Sequence, residues 1–568
     1  MCTKRAGHYK VLGKYGIISL MQKTIKPQKN YSSMENGFQL VMPLNCGVNI
    51  PEDDPVRLLN AVIERMDFGG IYAAYSREGR IEYSPKILTK ICVYGYMRLI
   101  ISSRKIEEAC RENIHFMYLL EGQKAPDHNT IARFRSKHLA SPEGQDLLRQ
   151  VVELLIESGL LSLDAVFIDG TKIEANANKY SFVWKKGSEK KLVKLQETIH
   201  EKLPEMLEKA GVRFHVATKT ELRHLKKLRK KLTAEIKKKN ITMVHGKGQR
   251  KHPLQRVMEH VEAWLQKMKQ YIYDLHVCGD RNSYSKTDHD ATFMHMKEDH
   301  MRNGQLKPGY NVNTATCNEF IIGNYISSDR NDVHTLIPFS KQLCKTYTGY
   351  KISKEIVDSG YESEENYCWF EEEGRPELYV KPSNHDQQKK KKYRTDISRR
   401  ENMSYNAEEN TYTCANGKVL KETYEKHNKT KSGFQTTTSV YECDSCDQCP
   451  MKGNCIKAGG SKKPLEERHK VLYVCKRFQR QREAMEKKIS SEEGKLLRVN
   501  RSIQAEGSFA YIKEDLNFRQ FLLRGKEKVE AEWLLFSLAL NILKLHHKIQ
   551  NNRLGTGLII PEAFPAAL

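Results

Sequence analysis

The hydrophobic pattern of the chain changes its period near Asp164, and this change constrains the fold more than any other feature of the sequence. From residue 55 to about residue 160, apolar residues recur at helical spacing between capped turns, which predicts a domain made of helices. The run DAVFID then has strand character, and we expect this strand to stop abruptly at Asp169. A helical domain is therefore expected to precede a region that contains a β-sheet.

Strand and helix patterns alternate in the second region. YNVNTATCN and EFIIGNYIS are joined by a short polar link and predict a hairpin. EIVDSG predicts a strand that ends at Asp358, followed by a helix from about Ser363 and by the strand ELYVKP. Strand, acid, helix and strand in this order predict an α/β core, which we place at residues 161–550.

Two insertions are expected within this core. Residues 185–280 carry Leu, Ile and Val at helical spacing among many Lys and Arg residues, which predicts a helical hairpin. Thr218 and Glu221 form a capping-box pattern before one of its helices. Residues 385–470 form a Cys-rich insertion, and the chain is expected to be helical again from Leu472 to about Gln550. An irregular N-terminal segment (residues 1–54) and a C-terminal tail (residues 551–568) complete the chain.

The charge of the chain points to a polyanionic partner. Lys and Arg number 95 against 70 Asp and Glu, a net charge of +25 with a pI near 9.3. Such a field attracts nucleic acid at long range. The segment Leu534 to Leu545 is too short and too polar to cross a bilayer, and the first residues lack the apolar part of a secretory signal. We therefore expect a cytoplasmic protein without a membrane partner, whose cysteines are reduced thiols.

Four cysteines lie close together at the spacing Cys443-x2-Cys446-x2-Cys449-x5-Cys455, and Cys414 lies upstream. Four thiolates are what a tetrahedral structural Zn²⁺ requires, and Cys414 is a candidate to replace one of the four. An iron–sulfur cluster and free thiols on a loop are the alternatives.

Three acids stand out by their positions. Asp169 and Asp358 each follow a strand pattern, and Glu506 lies in the predicted helix SIQAEGSFAYIKED, two turns before Lys513. Three carboxylates from separate segments can hold two Mg²⁺ or Mn²⁺ ions, which prefer oxygen ligands. Any one of these acids taken alone would more simply be a helix cap or a surface ion pair.

Several segments, in order along the chain, carry a family resemblance. They are SPKILTKICVYGYMRLIISSRKIEEACRENIHFMYLLEGQKAPDHNTIARFR, FIDGTKIEANANKY, LKPGYNVNTAT, VDSGYESEENY and RSIQAEGSFAYIKEDLNFRQFLLRGKEKVEAEWLLFSLALNILKL. Over nearly its whole length the chain resembles the DDE transposases of bacterial insertion sequences. The branch in question has a ribonuclease-H-like catalytic core with an insertion before the final glutamate and a helical N-terminal domain.

The resemblance implies an activity, partners and catalytic residues. Asp169, Asp358 and Glu506 would be the catalytic carboxylates and the ligands of two Mg²⁺ ions. The enzyme would cleave DNA at the terminal inverted repeats and join the ends to target DNA, as a homodimer in the synaptic complex, in the bacterial cytoplasm with the nucleoid. Two alternatives are a ribonuclease-H-like nuclease without strand transfer and a catalytically inactive, domesticated DNA-binding protein.

The sequence departs from one related signature, in which a Tyr and an Arg precede the final Glu by seven and four residues and a Lys follows it by seven. Glu506 and Lys513 keep the last interval, but Val499 and Ser502 occupy the Tyr and Arg positions. The signature arginine therefore has no counterpart at its usual position, and Arg498 and Arg501 are the arginines nearby.

Several basic residues are candidates to contact DNA. At about 100° per residue, Arg498 is predicted to lie closer to the face of Glu506 than Arg501 does. The predicted DNA-binding residues are Lys513, Arg498, Arg104 and Arg135. Three other acids are expected to take no part in the chemistry: Glu174, Asp332 and Glu514.

Overall fold

The computed structural model describes residues 46–75, 82–217, 219–246, 250–296, 304–457, 463–555 and 558. Within these residues the fold is mixed α/β, and a helical region precedes the first strand of the main sheet along the chain. Most of the predicted irregular segment, residues 1–45, lies outside the described residues. Residues 46–54 contain one short 3₁₀ turn, Cys46–Asn49.

The N-terminal helices confirm the helical pattern of the sequence. Asp127 caps the helix that follows it, because its carboxylate accepts hydrogen bonds from the N–H groups of Asn129 and Thr130. The next turn, Phe134–Leu139, is a wide π-helical turn. The helices are α1 Pro55–Arg65, α2 Gly69–Ala73, α3 Pro85–Met97, α4 Ser103–Glu112, α5 Ile114–Leu119, α6 His128–Arg133 and α7 Pro142–Glu157.

The main sheet has the order β4-β5-β1-β7-β8. The sixth strand, β6, pairs with the same edge of β5 as β4 does, but further along β5. β1, β7 and β8 are parallel to one another, whereas β5 is antiparallel to β1, β4 and β6. The predicted hairpin is β5–β6, and β2 and β3 form a separate ribbon. The strands are β1 Ala165–Glu174, β2 Phe182–Trp184, β3 Ser283–Ser285, β4 Thr292–His295, β5 Leu306–Cys317, β6 Phe320–Ser327, β7 Lys354–Val357 and β8 Glu377–Val380.

The prediction that the first strand stops at Asp169 is wrong. β1 continues to Glu174, since every residue from Phe167 to Glu174 is paired with β5. The Asp-Gly-Thr sequence does not break the strand, because the long partner strand supplies backbone hydrogen bonds on one edge throughout. Asp169 therefore lies in the middle of a strand and not at the end of the sheet.

A three-helix unit follows β2. It consists of α8 Lys185–Lys209, α9 Leu222–Lys238 and α10 Pro253–Cys278, and the apolar residues of these helices form their own buried cluster. The predicted hairpin corresponds to α9 and α10, and α8 packs against α10 as a third helix. At the start of α9 the N–H of Glu221 bonds to the ring of His224. Thr218 lies outside the described residues.

A second sheet surrounds the cysteine cluster, in the region that was predicted only as a Cys-rich insertion. It is antiparallel, in the order β13-β12-β11-β10-β9. Its strands are β9 Ser404–Asn406, β10 Thr411–Thr413, β11 Val419–Lys429, β12 Gln435–Cys443 and β13 Val471–Val474. The prediction of helix from Leu472 onward is therefore wrong at β13.

The remaining helices cover the main sheet and join it to the N-terminal region. α19 packs against β6 and against α1, α3 and α7, so that the N-terminal helices and the sheet share one apolar core. Its segment Leu534 to Leu545 is buried, as predicted. The helices are α11 Leu336–Thr346, α12 Glu364–Phe370, α13 His385–Gln388, α14 Lys391–Arg394, α15 Lys452–Cys455, α16 Lys476–Ser490, α17 Glu492–Arg501, α18 Gly507–Ala510 and α19 Lys526–Gln550. Among the described helices, none combines the length and the apolar character that crossing a membrane requires.

Candidate active site

Asp169 lies on β1, and Asp358 directly follows the adjacent parallel strand β7. Phe167 on β1 is in register with Ile356 on β7, so two residues further along each strand Asp169 stands beside Asp358. Adjacent strands are about 4.8 Å apart. Asp169 is 7% exposed and accepts a hydrogen bond from the N–H of Gly170 at 2.8 Å. The two predicted aspartates, 189 positions apart in the printed sequence, are thus brought together.

The pairing of β1 with β7 ends at Phe167, well before the end of β1. β7 ends at Val357, whereas β1 runs on to Glu174, where its N–H and C=O bond to Arg519 and Phe521. We call the part of this edge that is not paired with β7, Ile168 to Ile173, the notch of β1. It is bordered by the turn after β7 on one side and by residues 519–521 on the other.

The turn after β7 carries the second aspartate into the entrance of the notch. Asp358 is partly exposed and accepts a hydrogen bond from the N–H of Gly360 at 2.8 Å. A Cβ on Gly360 would lie 3.0 Å from Oδ1 of Asp358 and 3.4 Å from Oδ2 of Asp332. The sum of these distances, 6.4 Å, is the upper limit for the separation of the two carboxylate oxygens. Asp332 therefore belongs to the same group of acids.

Asp332 also reaches β1. Its Oδ1 accepts a hydrogen bond from Nδ2 of Asn311 at 2.6 Å, and it lies 3.2 Å from the point that a Cβ on Gly170 would occupy. The expectation that Asp332 is remote from the chemistry is therefore not supported by the geometry, and this residue is unsuitable as a control. No motif in the sequence marked it.

A buried hydroxyl lies among these acids. The Tyr361 hydroxyl donates a hydrogen bond of 2.6 Å to Oδ1 of Asn313, which also accepts one from Thr335 at 2.9 Å. Burial raises the pKa of the Tyr361 hydroxyl well above its ordinary value, and the negative charges of Asp332, Asp169 and Asp358 raise it further. The Tyr361 hydroxyl therefore stays an uncharged hydrogen-bond donor that is exposed to the negative charge of all three aspartates.

The segment that contains Glu506 packs on the same face of β1 as Asp169. Ala505 is buried with Phe167 in one apolar cluster, and Phe167 and Asp169 share a face because side chains alternate along a strand. Glu506 is the last residue of a wide π-helical turn, Ser502–Glu506. Its side chain lies outside the described residues, so its predicted role stays a prediction.

Arg501, and not Arg498, is the arginine that faces the acids. Its Nη1 lies 3.9 Å from Oδ1 of Asp169. The prediction for Arg498 assumed 100° per residue, whereas Ser502–Glu506 is a wider π-helical turn. The assumption of a regular helix behind that prediction therefore fails at this turn.

The predicted DNA contacts differ in their accessibility. Arg104 is exposed at the start of α4. Arg135 is only 3% exposed, and its guanidinium donates hydrogen bonds to the carbonyl of Ile101 and the hydroxyl of Ser103. The structure thus gives Arg135 a structural role in place of the predicted DNA contact. Lys513 is 8% exposed, within the turn Tyr511–Asp515.

The five cysteines of the predicted zinc site line one small cavity of about 20 Å³, together with Lys418, Lys452 and Lys470. The thiols act on one another: burial raises the pKa of Cys443 to about 11, with further contributions from Cys446 and Cys414. The N–H of Lys470 lies 3.3 Å from Sγ of Cys446. The cysteines in the cavity are Cys414, Cys443, Cys446, Cys449 and Cys455.

Neither the acids nor the thiols are arranged as a finished metal site. In the part of the chain that the structure describes, no group of three or more His, Cys, Asp or Glu side chains could hold a metal ion as it stands. The donor types nevertheless fit: carboxylate oxygens suit Mg²⁺ or Mn²⁺, and thiolates suit Zn²⁺.

Two protein-family models match the chain. One, described as a transposase DDE domain, matches residues 413–546, and the other, described as a transposase domain (DUF772), matches residues 45–137. No match was found among curated proteins or among solved structures. The first match includes the cysteines and Glu506, whereas Asp169 and Asp358 lie outside both matched segments.

These matches define the class of protein: both models describe transposases, and a DDE domain implies a polynucleotidyl transferase that acts on DNA. The resemblance to the DDE transposases of insertion sequences that the motifs predicted is confirmed by these two matches.

Proposed function

We propose that this transposase cleaves DNA at the ends of an insertion sequence and joins the freed ends to target DNA through a ribonuclease-H-like core. The proposal is supported above all by the register of β1 and β7, which brings Asp169 on β1 close to Asp358, the residue that follows β7. The strand arrangement supports the core assignment: an antiparallel hairpin, β5–β6, on one side of β1 and two parallel strands, β7 and β8, on the other.

Asp169, Asp358 and Glu506 would hold two divalent cations, Mg²⁺ or Mn²⁺. When bound, such ions activate a water or a 3′-hydroxyl and stabilise the leaving oxygen of an in-line displacement. The residues of the chain position these groups. β1 and β7 fix the spacing of the aspartates, and Arg501 orients Asp169 through their ion pair at 3.9 Å.

Double-stranded DNA is the proposed substrate, both as terminal inverted repeats and as target. We assign specific contacts with the ends to residues 55–160, where Arg104 is exposed. The three-helix unit, α8 to α10, adds phosphate contacts, since it presents many exposed Lys and Arg side chains. A homodimer would hold two ends in the synaptic complex, and the site of action would be the nucleoid in the bacterial cytoplasm.

The proposal is tested with the isosteric amides Asp169→Asn, Asp358→Asn and Glu506→Gln. Each keeps the shape of the side chain and removes the charge that holds a divalent cation. We expect each variant to bind the DNA ends at least as well as the wild type and to lose both cleavage and joining. The three losses should not add, because one missing ligand already dismantles the site.

The matched control is Glu514→Gln, an exposed acid in the turn Tyr511–Asp515 that pairs with Arg519; it should retain activity. Normal cleavage by Asp358→Asn in Mg²⁺ would overturn the proposal. Cleavage of labelled ends without joining would indicate the nuclease alternative. End binding without any cleavage by the wild type would indicate a domesticated DNA-binding protein.

We further propose that the cysteine cavity binds one structural Zn²⁺. A site of four thiolates carries excess negative charge, and the three lysines that line the cavity would offset it. Apolar residues of the second sheet, such as Tyr412 and Leu420, pack around the thiols. The metal would fix the loop between β12 and β13 and would have no catalytic role.

Metal analysis of protein purified without a metal-binding tag should find about one zinc per chain. Cys446→Ser should lose it, whereas Cys344→Ser, on α11 and outside the cavity, should keep it. A wild-type protein without zinc, in which all five cavity thiols are rapidly alkylated, would exclude the site.

A further inference from the structure

Asp332 lies on the short turn that follows β6, beside the catalytic pair. β6 is antiparallel to β5, which is antiparallel to β1, so that β6 runs in the same direction as β1 and β7. The residues that follow these strands gather at one edge of the sheet, where ligands bind in open α/β sheets. The topology therefore brings Asp332 to the edge occupied by Asp358.

Each oxygen of the Asp332 carboxylate faces a different part of the site. Oδ1 is bound by Asn311 at 2.6 Å and lies against Gly170 of β1. Oδ2 points to Gly360 and lies at most 6.4 Å from Oδ1 of Asp358, the sum of the two distances from the Gly360 position. The carboxylate thus spans the gap between β1 and the turn after β7.

The turn that carries Asp332 is held by other groups. The Thr335 hydroxyl bonds to Asn313 at 2.9 Å, and the amide of Asn366 donates to the carbonyl of Val333 at 3.0 Å. These bonds hold the turn in addition to the hydrogen bond that Asn311 donates to the Asp332 carboxylate. That hydrogen bond needs an acceptor at position 332, which an asparagine would also supply, and not a negative charge.

A second polar group beside Asp332 is available to a ligand. Asn311 is fully buried, and its amide nitrogen is the donor to Asp332. Its Oδ1 has no hydrogen-bond partner among the described residues. A buried acceptor of this kind is normally satisfied, in many proteins by water. Beside a group of carboxylates, the natural donor is a water molecule of a hydrated cation.

We propose that Asp332 is a third aspartate of the divalent-cation site, next to Asp169 and Asp358, and that with Asn311 it holds water molecules of the bound ion. This inference rests on the proposed function, since it needs a cation at the aspartate pair. Residues that orient the water or ligands of an ion typically change metal affinity by about 10- to 100-fold when they are removed.

The test is direct binding of Mn²⁺ to the full-length protein, followed by electron paramagnetic resonance and by competition with Mg²⁺. Asp332→Asn keeps the acceptor for Asn311 and removes the charge, and we expect it to weaken Mn²⁺ binding by about 10-fold or more. The control is Asp329→Asn, on the same turn, an acid that pairs with His334 at 2.7 Å; its Mn²⁺ affinity should match the wild type.

Cleavage of the wild-type chain by Fe²⁺-generated hydroxyl radicals gives an independent readout that does not depend on a variant. Cutting is expected near residue 332 as well as near residues 169 and 358. If Asp358→Asn weakens Mn²⁺ binding while Asp332→Asn binds like Asp329→Asn, and no cut appears near residue 332, the inference is wrong and the proposed function stands. If neither Asp169→Asn nor Asp358→Asn weakens binding, both are wrong.

Discussion

Gly170→Ala tests the packing of the site without altering any charge. An added Cβ would lie 2.8 Å from the Tyr361 hydroxyl and 3.2 Å from both Asn313 and Asp332, whereas ordinary contact begins near 3.4 Å. The hydroxyl would have to move by about 0.6 Å, the difference between the contact limit and 2.8 Å. Tyr361 is 1% exposed and bonded to Asn313, so it has little room to move.

Overpacking of this kind costs about 1 to 3 kcal/mol. Replacing glycine inside a strand returns about 0.5 to 1 kcal/mol, because the unfolded chain loses freedom. We therefore expect a net destabilisation of about 1 to 2 kcal/mol. For a unit of 150–250 residues this lowers the melting temperature by about 2 to 8 °C.

The assay is a double-mutant cycle on thermal unfolding with Tyr361→Phe, which removes the oxygen that an alanine at position 170 would strike. In that background Gly170→Ala should cost about 1 kcal/mol less than in the wild type. The control is Gly187→Ala, inside α8, where the nearest atom to an added Cβ is 3.7 Å away; it should stabilise by up to about 1 kcal/mol. Equal effects of Gly170→Ala in both backgrounds would refute the argument.

Three further predictions concern charged groups. Arg501→Ala should slow DNA cleavage by about 10-fold or more while Arg498→Ala stays close to wild type, as measured with labelled ends. Arg135→Ala should lower the melting temperature, because it leaves buried acceptors unpaired. Arg104→Ala should instead weaken DNA binding and reduce the slope of the logarithm of the binding constant against the logarithm of the salt concentration by about one. Burial raises the pKa of Glu355 from 4.5 to about 7. The free energy of unfolding therefore falls as pH rises from 4.5 to about 7, by up to about 3 kcal/mol. Glu355→Gln should abolish this fall, as measured by unfolding at pH values from 4.5 to 8.

The local patterns of the sequence were sufficient for the elements that have one buried face. The N-terminal helices and the strand before Asp358 follow from apolar spacing and capped turns, and the structure confirms them. The end of β1 was predicted wrongly because the pairing with β5, more than 130 residues away in the printed sequence, decides where the strand stops.

The second sheet was missed for a different reason. β11 is exposed along most of its length, as its residues from Glu425 to Lys429 are all in solvent. A strand with two exposed faces has no alternation of apolar and polar residues, so its periodicity is hidden. Cross-strand pairing with β12, and not burial, holds this part of the sheet.

Asp332 could have been found from topology but not from a motif. Once β6 is recognised as parallel to β1 and β7, the loops after all three strands meet at one edge, and the acids on these loops become candidates together. Arg501 could not be found in this way. Its position depends on the wide turn Ser502–Glu506, and nothing in the spacing of apolar residues distinguishes such a turn from a regular helix.

The notch of β1 follows from a difference in strand length. β1 has ten residues and β7 has four, so the pairing of β1 with β7 ends at Phe167, and the contact with residues 519–521 begins at Glu174. Tyr361 and Asp332 approach β1 closely at position 170, because this residue has no side chain. A longer β7 would pair with the notch and would keep Asp358 in register with Asp169. The early end of β7 therefore sets the extent of the notch and not the spacing of the two aspartates.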